Sequence, residues 1–552
     1  MDFTFAVRFI AYVLGALLTS IFVNVLRQQL PRRKSEPPLV FHWIPFIGNA
    51  VAYGTDPYNF YRACREKHGD VFTFVLLGKS MTVCLGAAGN EFVLNGRVQD
   101  LNAEDIYGPL TTPVFGSDII YDCPNAKLME QKKFVKFGLT QRALESYVPL
   151  IEKEVLDYLD ANLKGDSGRL NVSTAMSEIT IFTAGRALQG PEVRKKLSAS
   201  FAELYHDLDM GFRPINFLIP WAPLPQNRRR DAAHLKMQSV YMDLINDRRQ
   251  AKADKAANND DKEEEPDMLA NLMSCVYKNG QVIPDKEIAN MMITLLMGGQ
   301  HSSSSASAWI MHRLASQPAI AEELYEAQRA AIGPNDDDDD APQPLTLADL
   351  ERVPLLTHIV KETLRVHPSI HSLMRKVTRA MAVPGTDYVV GPGRTLVASP
   401  VVSHLSAAHF ARPEEWDPHR WEDGPASASA STADADADAD DAVDYGYGVT
   451  SKGTRSPYLP FGAGRHRCIG ERFAYLNLAT IVLAVVRTLR LRTLDDGAGA
   501  GAGAGTVPPT DYSSLFSRPA QSAEIGWERR VPLRTRTTGR LGKGDRIREG
   551  GL

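Results

Sequence analysis

The sequence predicts a mainly α domain with minor β-sheets, preceded by one transmembrane helix. Three observations carry that reading. An apolar run over residues 3–26, "FTFAVRFIAYVLGALLTSIFVNVL", holds a single charge, Arg8. Long segments with the apolar spacing of helices recur at 286–316, 348–366 and 469–489. Short β-rich runs are few and lie at 71–77, 80–85, 387–390 and 394–398.

The first element is the anchor, residues 1–26. As a helix the apolar run extends about 36 Å at ~1.5 Å per residue, enough for a hydrocarbon core of roughly 30 Å. Arg27, Arg32, Arg33 and Lys34 follow it, so the positive-inside rule puts the body on the cytosolic side. A cleaved leader is the alternative. The length of the run, the basic cluster after it and the lack of a small-residue cleavage site weigh against that. Residues 27–39, with "PRRKSEPP", read as a stiff hinge rather than a helix. The body spans 40–528 and is interrupted by low-complexity stretches at 334–342, 425–444 and 497–505, which cannot build a core. Residues 529–552 read as a basic tail, with eight basic and two acidic side chains.

Composition excludes several classes. The formal charge of −4 is set by eleven acids in the first two low-complexity stretches, and without the tail the body is near neutral. General nucleic-acid binding is therefore not indicated. The five cysteines, Cys64, Cys84, Cys123, Cys275 and Cys468, show no CxxC pair and no repeated spacing. That weakens zinc-ribbon and disulfide-framework readings and suits a reducing compartment.

Four motifs carry chemistry. "FGAGRHRCIG" (461–470) sets Cys468 in a glycine-rich loop with Arg465, His466 and Arg467 beside it. Glycines allow close backbone approach, and cationic neighbours favour thiolate. Such a thiolate serves as a nucleophile, a zinc ligand or a ligand to another metal. "KETLRVHP" (361–368) puts Glu362 and Arg365 on one helix face, either as a solvated surface pair or as a buried pair needing a further partner. "PEEWDPHRW" (413–421) offers Arg420. "LLMGGQHSSSSASAW" (295–309) has a glycine pair and four serines in an apolar helical stretch. It reads either as close helix packing or as a helix opened to admit a ligand, with His301 and Ser302 passing protons.

Together these motifs resemble the cytochrome P-450 superfamily of haem-thiolate monooxygenases. Phe461, Gly464, Arg465, Cys468 and Gly470 match its cysteine loop, Glu362 and Arg365 its Glu-x-x-Arg, and Arg420 the third member of that structural triad. The likeness narrows to sterol 14α-demethylases of the fungal type. It rests on Gly298-Gly299-Gln300-His301-Ser302, where histidine replaces the usual acid, and on "YGPLTTPVFGSDIIYDCPNAKLMEQKKF" (107–134), "FRPINFLIP" (212–220), "HSLMRKV" (371–377) and "DYSSL" (511–515). Ser302 departs from the family's frequent threonine.

The resemblance implies a P-450 fold with haem b as cofactor and Cys468 as axial ligand of its iron. Tyr107, Tyr121, Lys132, Arg375 and His466 would hold the haem propionates. Tyr53, Leu110, Thr111, Phe115, Phe217, His371, Met374 and Leu515 would line the sterol pocket, and His301 and Ser302 would be the catalytic proton donors. It further implies removal of a sterol 14α-methyl, with dioxygen and NADPH electrons arriving through a reductase in the endoplasmic reticulum membrane. Another sterol-oxidising haem-thiolate enzyme, such as a desaturase, and a non-catalytic haem-binding sterol carrier or sensor are the alternatives.

Overall fold

The computed structural model describes residues 3–196, 199–217, 219–258, 267–333, 344–422, 453–494, 507–514 and 516–531. The three low-complexity stretches and the tail from 532 onward lie outside the described residues. Helix α1 (Phe3–Gln29) is continuous, and Ala11–Gln29 is long and apolar enough to cross a membrane. Phe9, Leu14, Leu18 and Phe22 are exposed, so this surface finds no cover within the protein. The helix runs three residues into the stretch read as hinge. The rest of that hinge is docked rather than loose. Val40 N donates to Thr73 O (2.8 Å), Thr73 N to Pro38 O (2.7 Å) and Val389 N to Ser35 O (2.8 Å).

The main sheet has five strands in the order β1-β2-β5-β4-β3. β1 (Val71–Leu76) and β2 (Lys79–Cys84) form a hairpin with Val75 opposite Ser80. β5 (Thr395–Ala398) lies parallel to β2, and β4 (Leu373–Val377) runs antiparallel to both β5 and β3 (Leu101–Asn102). The other strands form small sheets. The rest of the body is helical. α2 (Glu104–Phe115), α3 (Gln141–Asn162), α4 (Val172–Gln189), α5 (Ala199–Asp209) and α6 (Pro225–Asn258) precede the long α7 (Asp285–Ser316). α8 (Pro354–Val366) and α9 (Glu471–Thr488) follow.

α7 is the axis of the molecule. Its second half carries Ile310, Met311 and Leu314 into the largest core cluster, with Ile359 of α8 and Val482 of α9. A helix apolar around most of its circumference is stable only when other helices enclose it. The apolar stretch 348–366 does not form one helix. Leu347–Glu351 ends before Pro354, which opens α8 where its missing N–H costs nothing.

The tail begins later than composition suggests. Arg529 is the last residue of the strand Glu524–Arg529, which pairs with Leu489–Arg492 and Ser167–Asn171. Its guanidinium donates to Leu163 O (3.1 Å), and Arg530 pairs with Glu322 (3.0 Å). The alternation that buries Ile525 and Trp527 carries Arg529 into the body despite its charge.

Candidate functional site

The cysteine loop folds as its glycines demand. Gly462 and Gly464 have φ of 70° and 67°, and a side chain at Gly464 would collide with the Leu94 carbonyl. Cys468 N donates to Phe461 O (3.0 Å), closing the loop, and α9 begins three residues after the sulfur. The thiol is solvent-accessible, yet protein atoms enclose it, so it faces an internal void. Burial pushes its pKa up, against the Gly470 N–H and the charges of Lys132 and Arg467. This corrects the expectation that flanking cations make it a thiolate. Arg467 is spent on Glu471, Arg465 donates to Gly96 O (2.7 Å) and to the Leu101 carbonyl, and burial drives the His466 pKa to about 2. A thiolate here needs a cation of its own, which a coordinated metal supplies.

α7 resolves the other ambiguity. The helix is unbroken through its glycines and serines. Ser304 and Ser307 turn their hydroxyls back onto main-chain carbonyls, at 3.1 Å and 2.8 Å. A Cβ on either Gly298 or Gly299 would meet nothing within 4 Å. The pair therefore does not serve close helix packing. The opening is lateral, made by omitting two side chains while the backbone continues.

His301 faces a different neighbourhood. Its Nε2 is 3.0 Å from the Tyr205 hydroxyl and 3.2 Å from Asp209 Oδ1, both on α5, and its ring stacks on Phe516 (5.1 Å). Burial lowers its pKa and Asp209 opposes that. His301 and Asp209 also line a polar cleft of about 820 Å³ with Ser177, Arg213 and Arg518. Tyr205, Asp209, Phe212 and Phe516 escaped the sequence reading. They are remote from His301 along the chain, and no spacing rule links them. Ser302 is half-buried one position on, and its carbonyl accepts from Ser369 Oγ (3.4 Å).

The remaining candidates fall into groups. Tyr107, Tyr121 and His466 stack in sequence, with centroids 5.0 and 5.3 Å apart. Met374 N donates to Tyr107 Oη (3.0 Å), and Arg375 Nη1 to Met374 O (2.8 Å). Lys132 Nζ donates to Arg465 O (2.7 Å) and Arg467 O (3.2 Å), and burial lowers its pKa to about 8. Tyr53 and His371 both reach Ser372 Oγ, at 3.1 and 2.8 Å, and Tyr53 packs with Met374 beneath the main sheet. Leu110, Phe115 and Phe217 belong to a second apolar cluster with Leu295 of α7, and Thr111 sits on α2 with its hydroxyl on Tyr107 O (2.9 Å). Leu515 lies outside the described residues.

Glu362 and Arg365 are fully buried, which rules out the solvated pair. All five Arg365 N–H groups are used: two on Glu362 (2.9 and 2.7 Å) and three on the carbonyls of His404, Pro413 and Glu415. Arg420 Nε supplies the further partner, 2.9 Å from Glu362 Oε1.

A glycine-lined thiol loop facing a void, braced by a buried Glu–Arg–Arg network, defines a thiolate-ligating metalloprotein, and the family model for Cytochrome P450 matches residues 37–499. The chain belongs to the cytochrome P450 family. A cyanobacterial relative solved with retinoic acid bound, CYP120A1, superposes with a TM-score of 0.71 over 90% of this chain and 100% of that one. At 18% identity it speaks for the fold alone. Within the family this chain stands among the sterol 14-alpha demethylases. It is 61% identical to one from Aspergillus flavus over 95% of its own length and 97% of the relative's. One from Gibberella zeae is 60% identical, with 95% and 98% covered. The eburicol 14-alpha-demethylase of Penicillium italicum is 56% identical, with 94% and 96% covered.

The residues present fit the family's haem. The cysteine loop offers a soft sulfur donor, and α7 carries a face bare of side chains at Gly298 and Gly299. Arg375 is buried with its Nε lacking a hydrogen-bond partner. That unpaired Nε, with Lys132 and two tyrosines, is a donor set for carboxylates at the edge of an apolar group.

Proposed function

We propose that the chain removes the 14α-methyl group of a sterol, in three successive oxygenations that release formate. The observation that carries this is the accessible Cys468 in its glycine-set loop, in a chain 61% identical to a sterol 14-alpha demethylase. Cys468 would hold haem b, with Tyr107, Tyr121, Lys132, Arg375 and His466 available to its carboxylates, and the group would supply the oxidation chemistry with dioxygen. The chain's own residues do the rest. Tyr53, Leu110, Thr111, Phe115, Phe217, His371 and Met374 enclose the sterol and exclude water. Burial holds His371 neutral, with a pKa of about 4, so the wall stays uncharged at neutral pH. The Ser302 hydroxyl hands protons to the reacting centre. His301, between Asp209 and the turn that carries Ser302, renews them from the polar cleft.

Two electrons per cycle come from NADPH through a membrane-bound reductase. α1 anchors the enzyme as a single pass in the endoplasmic reticulum, and the basic residues after it keep the body cytosolic. The test is turnover of lanosterol and its 24-methylene relative with a reconstituted reductase, following formate and demethylated sterol. Sterol binding without turnover of either would favour a carrier, and desaturated product a desaturase. The proton relay is tested in Ser302→Ala by product formed per NADPH. Coupling should fall while the sterol-induced spin shift survives, and unchanged coupling would make Ser302 a packing residue.

A further inference from the structure

The junction between α1 and the body holds a second, smaller cavity, far from the thiol in chemistry. Asn24 Nδ2 donates to the carbonyls of His42 and Trp43 (2.9 Å each). Gln28 donates to His42 O (2.8 Å) and accepts from His42 N (3.1 Å). These four bonds clamp the end of the apolar helix onto a loop whose Phe41, Trp43, Ile44 and Phe46 are exposed. A lipid surface that covers α1 therefore meets the body at this level.

There a cavity of about 210 Å³ is lined by Arg32, Arg33, Ser35, Glu36, the Val389–Val390 strand with Gly391, and Arg394. Its charge is unbalanced, with three guanidiniums facing one carboxylate. Arg32 spends Nε and Nη2 on Glu36 Oε2 (3.2 and 3.0 Å), and its Nη1 is buried with no hydrogen-bond partner. Neither Arg33 nor Arg394 forms an ion pair among the described residues. Glu36 also has no second cation there. A buried unpaired donor is costly, more so when charged, so the site is built for an anion that the protein does not supply. It is smaller than the ~300–1,000 Å³ pockets that enclose drug-sized molecules.

We propose that this cavity binds the phosphate of an anionic phospholipid headgroup where α1 leaves the bilayer. The inference rests on the anchor reading for its source of lipid, because α1 and the exposed aromatic loop hold headgroups at high local concentration. Charge-assisted bonds from Arg32, Arg33 and Arg394 would seat the phosphate. The site would then fix the rotation of the body on the membrane, because the Ser35–Val389 bond ties the hinge to the sheet side of the domain.

The experiment uses full-length, haem-loaded protein in detergent. It is titrated with dihexanoyl phosphatidic acid below its micellar concentration, dihexanoyl phosphatidylcholine and inorganic phosphate. Soluble probes need no bilayer, so a failed anchor and a failed site are distinguishable. Phosphatidic acid should bind the wild type, and Arg32→Gln and Arg394→Gln should each weaken it about fivefold. Arg379→Gln, an exposed arginine outside the cavity, should not. The ferrous carbon monoxide spectrum must be unchanged in all three. If Arg32→Gln fails to fold, Arg394→Gln decides alone. Equal affinity in wild type and Arg394→Gln overturns the site. Phosphatidylcholine binding as tightly as phosphatidic acid overturns the role of charge, and inorganic phosphate binding as tightly overturns the lipid source.

Discussion

Glu362→Gln tests the network that braces the cysteine loop. The Glu362 carboxylate accepts five hydrogen bonds while fully buried. Oε1 takes Arg365 Nη2 (2.7 Å), Arg420 Nε (2.9 Å) and Asp417 N (2.9 Å). Oε2 takes Arg365 Nε (2.9 Å) and Trp421 Nε1 (3.0 Å). Glutamine keeps the shape but turns one oxygen into a donor. At least two incoming donors then face an NH₂, and two guanidiniums lose their only carboxylate in this network. Breaking a buried pair from one side costs about 3–5 kcal/mol, a large share of the ~5–15 kcal/mol that holds a folded protein. With unfolding entropy of ~2 cal/mol/K per residue, a body of this size loses roughly 3–5 °C of melting temperature. Arg420→Gln should cost less, because Arg420 is 11% exposed and water can reach the vacated oxygen. The assay is a melting curve with haem content measured on the same samples. Glu362→Gln that melts within about 1 °C of wild type with full haem would refute the reasoning, because a uniquely satisfied buried carboxylate cannot be neutralised so cheaply.

Three further outcomes are expected. Cys468→His should retain some haem but lose the red-shifted Soret band of the ferrous carbon monoxide complex; a retained band would acquit Cys468 as ligand. Stability should fall as pH drops below about 6.5, because burial holds His312 and His404 at pKa values of about 4 and 3. Between those values and ~6.5 only the unfolded chain takes up the proton, so each costs up to about 1.4 kcal/mol per pH unit, and a melting temperature flat from pH 7 to 5 would contradict this. Deleting residues 1–29 should release the protein from membranes only in part, because Trp43, Phe46, Val51 and Trp221 remain exposed; carbonate extraction and flotation measure it, and full release would assign all the affinity to α1.

Features carried by neighbouring residues were legible along the chain. The cysteine loop is ten residues whose glycines set its path, and Glu362 and Arg365 share a face because a helix turn puts them there. The apolar periods located α7 and α9 within a few residues, and the anchor likewise, but ran α8 together with the short helix before Pro354. What required the tertiary structure was everything that depends on surroundings. The glycine pair could equally have packed a helix; only the open space beside it showed that it does not. The cations flanking Cys468 suggested a thiolate, but two of them point elsewhere and the third is neutral, so burial decides the shift. His301 meets Asp209, Arg420 meets Glu362, and Arg32 shares a cavity with Arg394 across long loops of chain. Local sequence specifies backbone conformation through sterics and hydrogen bonding between near neighbours. Solvation, void space and the pairing of distant charges arise only when the packed elements close around one another.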